Sequence, residues 1–194
     1  MRLWTGPCIN PNRTYAKNHD FGLLNQNVSD ENGLRASPII PTERYFIQYR
    51  NPVAAIASDF KLYIRREPNR DRRAVWQDFA LRQVSYWNRF VDKWVLNFPS
   101  DAVPPLYCSY EALIADPQER VREILAFLSD NPLDEERLKT IMQKVPIVPR
   151  NSLSRFKFND PIFFKELESA ASPRLDILGL PFFEETLNNP GQAY

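Results

Sequence analysis

The chain has 194 residues, 43% of them hydrophobic and 13% aromatic, which is enough apolar surface for one globular core and too much for a disordered chain. Its 25 basic and 24 acidic residues leave a net charge of +1. That balance excludes the broad basic footprint of a protein that binds duplex nucleic acid or an anionic membrane, while leaving room for a local anion site.

The first eight residues, Met1 to Cys8, lack the apolar run of a secretory leader, and no stretch approaches the ~18 apolar residues of a membrane span. With two cysteines and one histidine, neither a disulfide scaffold nor a metal motif is spelled out. The expected setting is the reducing cytoplasm. Residues 1–44 carry Gly, Pro, Asn and Ser clusters and no sustained helical period, so they read as loop, with a short strand near Arg13–Ala16. Within them, Lys17-Asn18-His19 holds the chain's one histidine. Imidazole is the commonest general base, and a lysine two residues away can stabilise charge on a leaving oxygen. A surface or core histidine with no such duty fits the same three residues.

Tyr45-Phe46-Ile47-Gln48-Tyr49 is a short run of strand formers that stops at Arg50-Asn51-Pro52. There Asn can cap the helix, Pro suits its first turn, and Val53, Ile56, Phe60 and Ile64 continue with helical spacing. The start of a helix attracts anions, and in open α/β sheets ligands gather at the carboxyl ends of strands. Arg50, and Ser58 eight residues later, could therefore meet one anion, although a surface arginine and an unrelated helix serine also fit.

The strongest periodic signal predicts a helix over 74–97. Trp76, Phe79, Ala80, Gln83, Trp87, Phe90, Val91 and Trp94 recur at steps of three and four, a stripe expected in the core that can also frame a pocket. The charged stretches Arg65-Arg66 and Arg70 to Arg73 read as solvated turns. Leu106 to Tyr110 is a second short strand entered through Pro104-Pro105. Asp116-Pro117 then starts a helix through Val121, Ile124, Leu125 and Leu128, and another begins near Leu133-Asp134 with Leu138, Ile141, Met142 and Val145 as its stripe. Phe163-Phe164 and Phe182-Phe183 are expected to pin the last helices to the body. Strands alternating with helices predict an α/β domain over 1–194, a short parallel sheet flanked by helices, with 131–194 as its helical C-terminal part.

Taken in order, Lys17-Asn18-His19, then Arg50-Asn51-Pro52 with Ser58, then the Trp-rich helix, then Tyr110-Glu111-Ala112-Leu113 followed by Asp116-Pro117, resemble the sulfotransferases that use 3′-phosphoadenylyl sulfate (PAPS). The resemblance covers residues 13–130 and rests on motif order as well as content. It implies the P-loop NTPase-like fold of that family, PAPS as co-substrate, and no metal. It also implies transfer of a sulfuryl group to a hydroxyl or amine on a small-molecule, lipid, carbohydrate or protein acceptor.

Carried over residue by residue, the resemblance makes His19 the base and gives Lys17 the charge on the transferred group. Arg50 and Ser58 hold the 3′-phosphate, and Tyr110 lies by the nucleotide. Two segments depart from the pattern. The family's opening phosphate loop, Pro-Lys-Ser-Gly-Thr-Thr-Trp, has no counterpart before Lys17, where Thr5-Gly6-Pro7-Cys8 lacks both the lysine and the hydroxyl pair. The chain is thus expected to be the middle and C-terminal part of an N-terminally incomplete domain. The late Arg-Lys-Gly segment is replaced by Arg150 to Lys157, from which Arg155 or Lys157 could serve the same phosphate. The missing loop keeps open a second expectation, a non-catalytic nucleotide-binding or interaction module. A P-loop kinase relative ranks last, since no Walker lysine supports it.

Overall fold

The structure, a computed structural model, describes residues 39–144 and 153–180. Lys17, His19, Arg150, Val145, Phe182, Phe183 and the strand expected near Arg13 lie outside them.

Two strands, β1 (Phe46–Tyr49) and β2 (Leu106–Ser109), pair in parallel with Tyr49 opposite Ser109. Between them run helix α1 (Pro52–Arg66), a 3-10 turn (Pro68–Arg70), helix α2 (Arg73–Val91) and a π turn (Asp92–Leu96). After β2 come α3 (Tyr110–Ala115), α4 (Pro117–Leu128), α5 (Glu135–Lys144), a 3-10 turn (Leu153–Arg155), α6 (Pro161–Ala171) and α7 (Arg174–Leu178). The described architecture is therefore α/β, mostly helical, around a short parallel pair.

Local chemistry sets most of these boundaries. The side chain of Asn51 accepts from the Val53 and Ala54 amides at the start of α1, and Asp116 and Asp160 cap α4 and α6 in the same way, each followed by a proline at the first helical position. The second strand is one residue shorter than its sequence suggests. Ser109 Oγ accepts from the Ala112 amide at 3.0 Å, so Tyr110 becomes the first residue of a helix. The long helix expected over 74–97 occupies 73–91 and finishes in the π turn, where the Asn97 amide donates to the Asp92 carbonyl at 2.8 Å. Arg174 of α7 grips the Asp92 carboxylate there through two bonds of 2.7 and 2.8 Å.

The core lies where α1, α2 and α6 meet. Val53, Phe60, Trp76, Phe164, Leu167 and Leu175 are almost wholly buried, and edge-to-face rings from four segments interlock around Phe60 and Trp76. The tryptophan stripe divides, with Trp76 and Trp94 buried while Trp87 is only partly so. Phe163 and Phe164 pin α6 as expected. The stripes of α4 and α5 pack more loosely than their spacing suggests, since α4 has no fully buried residue and Ile141 is exposed. Among the described residues no helix is long and apolar enough to cross a membrane.

One acid sits awkwardly in this packing. Burial on α1 pushes the Asp59 carboxyl above its ordinary range, against a weaker opposing pull from Arg66. An acid whose folded pKa is raised loses stability as pH climbs from its unfolded value through its folded value, and that loss persists above it. Asp59→Asn is therefore expected to raise the thermal midpoint at neutral pH, by about 2–4 °C for each kcal/mol relieved, with the gain vanishing in acid. Melting curves of both proteins across pH check this.

Candidate functional site

Because Tyr49 pairs with Ser109, the next residue on each strand, Arg50 and Tyr110, leaves the sheet side by side at its carboxyl edge. The Arg50 guanidinium stacks over the Tyr110 ring, 4.4 Å from its centroid, a cation on an aromatic face. Both line a cleft of about 270 Å³ whose other walls include Tyr49, Trp87 and Phe90. It is an aromatic slot carrying one fixed positive charge.

The turn that presents Arg50 is held from several sides. Trp87 Nε1 donates to the Arg50 carbonyl at 3.0 Å, and the Asn51 amide donates to Glu111 Oε1 at 3.2 Å. These two bonds take the oxygen and the nitrogen of a single peptide unit, so its plane is fixed by α2 on one side and α3 on the other. Asn51 Oδ1 occupies the Val53 and Ala54 amides at 3.0 and 3.3 Å. The first amides of α1 are thus satisfied internally, and an anion at this edge must be held by side chains, Arg50 first. Arg50 Nε is buried with no hydrogen-bond partner among the described residues, a donor that a ligand or solvent oxygen would satisfy.

Ser58 is exposed on α1, one turn beyond Ala55, which lines the cleft. Three-residue spacing puts them on one helix face, while Ser58 itself is not among the residues that line the cleft. Burial, with the nearby Cys108 and Glu111, raises the Tyr49 phenol above its ordinary range, keeping that wall of the cleft uncharged.

The basic loop expected at the same anion lies elsewhere. Lys157 Nζ pairs with Asp71 Oδ2 at 2.5 Å, just ahead of α2, and Phe156, next to the exposed Arg155, packs on Trp76 with ring centroids 4.8 Å apart. At 1.5 Å per residue, Trp76 is about 16 Å along the helix axis from Trp87. Arg155 and Lys157 therefore serve the far end of α2, where the aromatic core anchors them. Arg65 and Arg66 are exposed, and Arg70 and Arg73 pair with Tyr63 and Asp160, as solvated turns do. Among the described residues no His, Cys, Asp and Glu side chains gather as a metal site.

Three residues of the site escape the motif reading. Trp87 is indistinguishable by spacing from its buried neighbours, and Glu111 needs the strand register to reach Asn51. Glu168 accepts from Asn51 Nδ2 at 3.3 Å and did leave a signal, since it interrupts the apolar stripe Phe164, Leu167, Ala171 and Leu175 of the last helices. Residues 36–149, more than half of the chain, match the family model described as a sulfotransferase domain. No curated protein and no solved structure matches the chain.

Proposed function

The chain belongs to the sulfotransferase domain family, and from that premise we propose that it transfers a sulfuryl group from PAPS to a hydroxyl or amine acceptor. The observation that carries this reading is Arg50, a half-buried guanidinium whose Nε is buried with no hydrogen-bond partner among the described residues, stacked on Tyr110 at the carboxyl edge of the parallel pair. A cleft of about 270 Å³ falls just below the range of about 300–1,000 Å³ for a whole ligand, and suits one part of a nucleotide. Arg50 binds the 3′-phosphate with help from the Ser58 hydroxyl, and Tyr110 flanks the nucleotide.

His19 takes the proton of the acceptor as its oxygen or nitrogen forms a bond to sulfur. The bond from sulfur to the bridging phosphate oxygen breaks in line, Lys17 stabilises the charge that builds there, and 3′,5′-adenosine bisphosphate leaves. Transfer of this kind depends on placement and charge, as phosphoryl transfer does. Arg155 and Lys157 take no part in this reading.

The test is calorimetric titration with 3′,5′-adenosine bisphosphate. Losing a charge-assisted bond to phosphate costs about 1.5–3 kcal/mol, so Arg50→Ala is expected to weaken binding about 10- to 100-fold. Equal affinity for the two proteins would remove Arg50 from the site. Binding by the parent chain without any sulfuryl transfer to a panel of hydroxyl and amine acceptors would favour a nucleotide-binding module.

A further inference from the structure

We propose that Glu168 is a positioning residue of the anion site, acting through Asn51, so that helix α6, in the C-terminal part of the chain, takes part in nucleotide binding. The inference rests on the PAPS reading of Arg50. Glu168 lies outside the family-matched stretch of 36–149, and it is 3% exposed. A buried carboxylate is costly unless donors face it, and the Asn51 side-chain amide supplies one at 3.3 Å across 117 residues of sequence.

The chemistry of the two side chains makes this contact directional. A carboxylate offers only acceptors, whereas the asparagine amide offers an oxygen at one end and a nitrogen at the other. Glu168 therefore draws Nδ2 toward α6, and this turns Oδ1 toward the start of α1, where it caps Val53 and Ala54. Asn51 is adjacent to Arg50, and the peptide joining them is pinned by Trp87 and Glu111. Three helices thus converge on one turn, and the guanidinium projects from it. If Asn51 turns its amide around, the cap is lost, and a nitrogen faces the helix amides beside the anion site.

The experiment compares Kd values for 3′,5′-adenosine bisphosphate and 5′-AMP, measured well below each protein's thermal midpoint. The ratio of the two affinities isolates recognition of the 3′-phosphate, and a purely structural role for Glu168 would not move it. Asn51→Asp preserves the capping oxygen but sets two carboxylates against each other, and it is expected to lower the ratio about tenfold, the scale of one charged hydrogen bond. Adding Glu168→Gln supplies an amide that donates to the new carboxylate, so the double variant is expected to regain most of the ratio. Glu168→Gln alone, which no longer dictates the Asn51 orientation, is expected to lower the ratio severalfold, and this arm reads out even if Asn51→Asp fails to fold. An unchanged ratio in either single variant, or no recovery in the double variant, would overturn the inference while leaving the PAPS reading intact. A parent chain that binds neither nucleotide overturns both.

Discussion

Replacing Trp76 by alanine is expected to destabilise the fold by about 3–5 kcal/mol, the usual loss for truncating a buried aromatic. Trp76 is 1% exposed, and its ring meets Phe156, Phe60, Phe163 and Phe164 at centroid distances of 4.8, 5.3, 6.1 and 6.4 Å. These partners belong to α1, α6 and the segment leading into α6, so one side chain joins three parts of the chain to α2. Domains of this size hold only about 5–15 kcal/mol in total, and a loss on this scale consumes a large share of it. Trp76→Phe is expected to cost much less. It keeps a ring in the cluster and removes Nε1, which is buried with no hydrogen-bond partner among the described residues. Urea unfolding followed by circular dichroism measures both variants. A loss below 1 kcal/mol for the alanine variant would mean that the core is not organised around Trp76.

The elements legible in the sequence are those specified by neighbours. Asn51-Pro52 and Asp116-Pro117 announce helix starts through caps and a fixed proline φ, and α2 is announced by the period of its aromatics. The start of α3 is not announced, because Tyr110 is as good a strand former as a helix opener and only the Ser109 cap decides between them. The candidate site divides along the same line. Arg50 is found by its place between strand and helix, a local pattern. The Tyr110 stacking, the Trp87 bond and the Glu168 contact depend on strand register and helix packing, which couple residues 37 to 117 positions apart. Lys157 illustrates the converse. Its basic neighbourhood suggests an anion, but Asp71 neutralises it from 86 residues away, and no local pattern foretells that partner.

The outcome that bears most directly on chemistry concerns His19. Its replacement by alanine is expected to lower kcat about 10²- to 10⁴-fold, the contribution of a well-placed general base, with little change in affinity for 3′,5′-adenosine bisphosphate. The separation follows from the assigned roles. In the proposed reading the acceptor's proton leaves as the new bond to sulfur forms, whereas the bisphosphate would be held by groups at the sheet edge, Arg50 foremost. Arg50→Ala and His19→Ala should therefore fail in opposite ways, the first in binding and the second in turnover. The pH dependence makes the assignment sharper. A base must be unprotonated to act, so with His19 in that role the parent rate is expected to rise across the range in which an imidazole loses its proton and then level off. In His19→Ala that rising limb should be absent from whatever rate survives. Initial rates of labelled sulfuryl transfer from PAPS to hydroxyl and amine acceptors, taken across pH for both proteins, decide the matter. Undiminished turnover in His19→Ala, or a rising limb that persists unchanged, would assign the base to another residue.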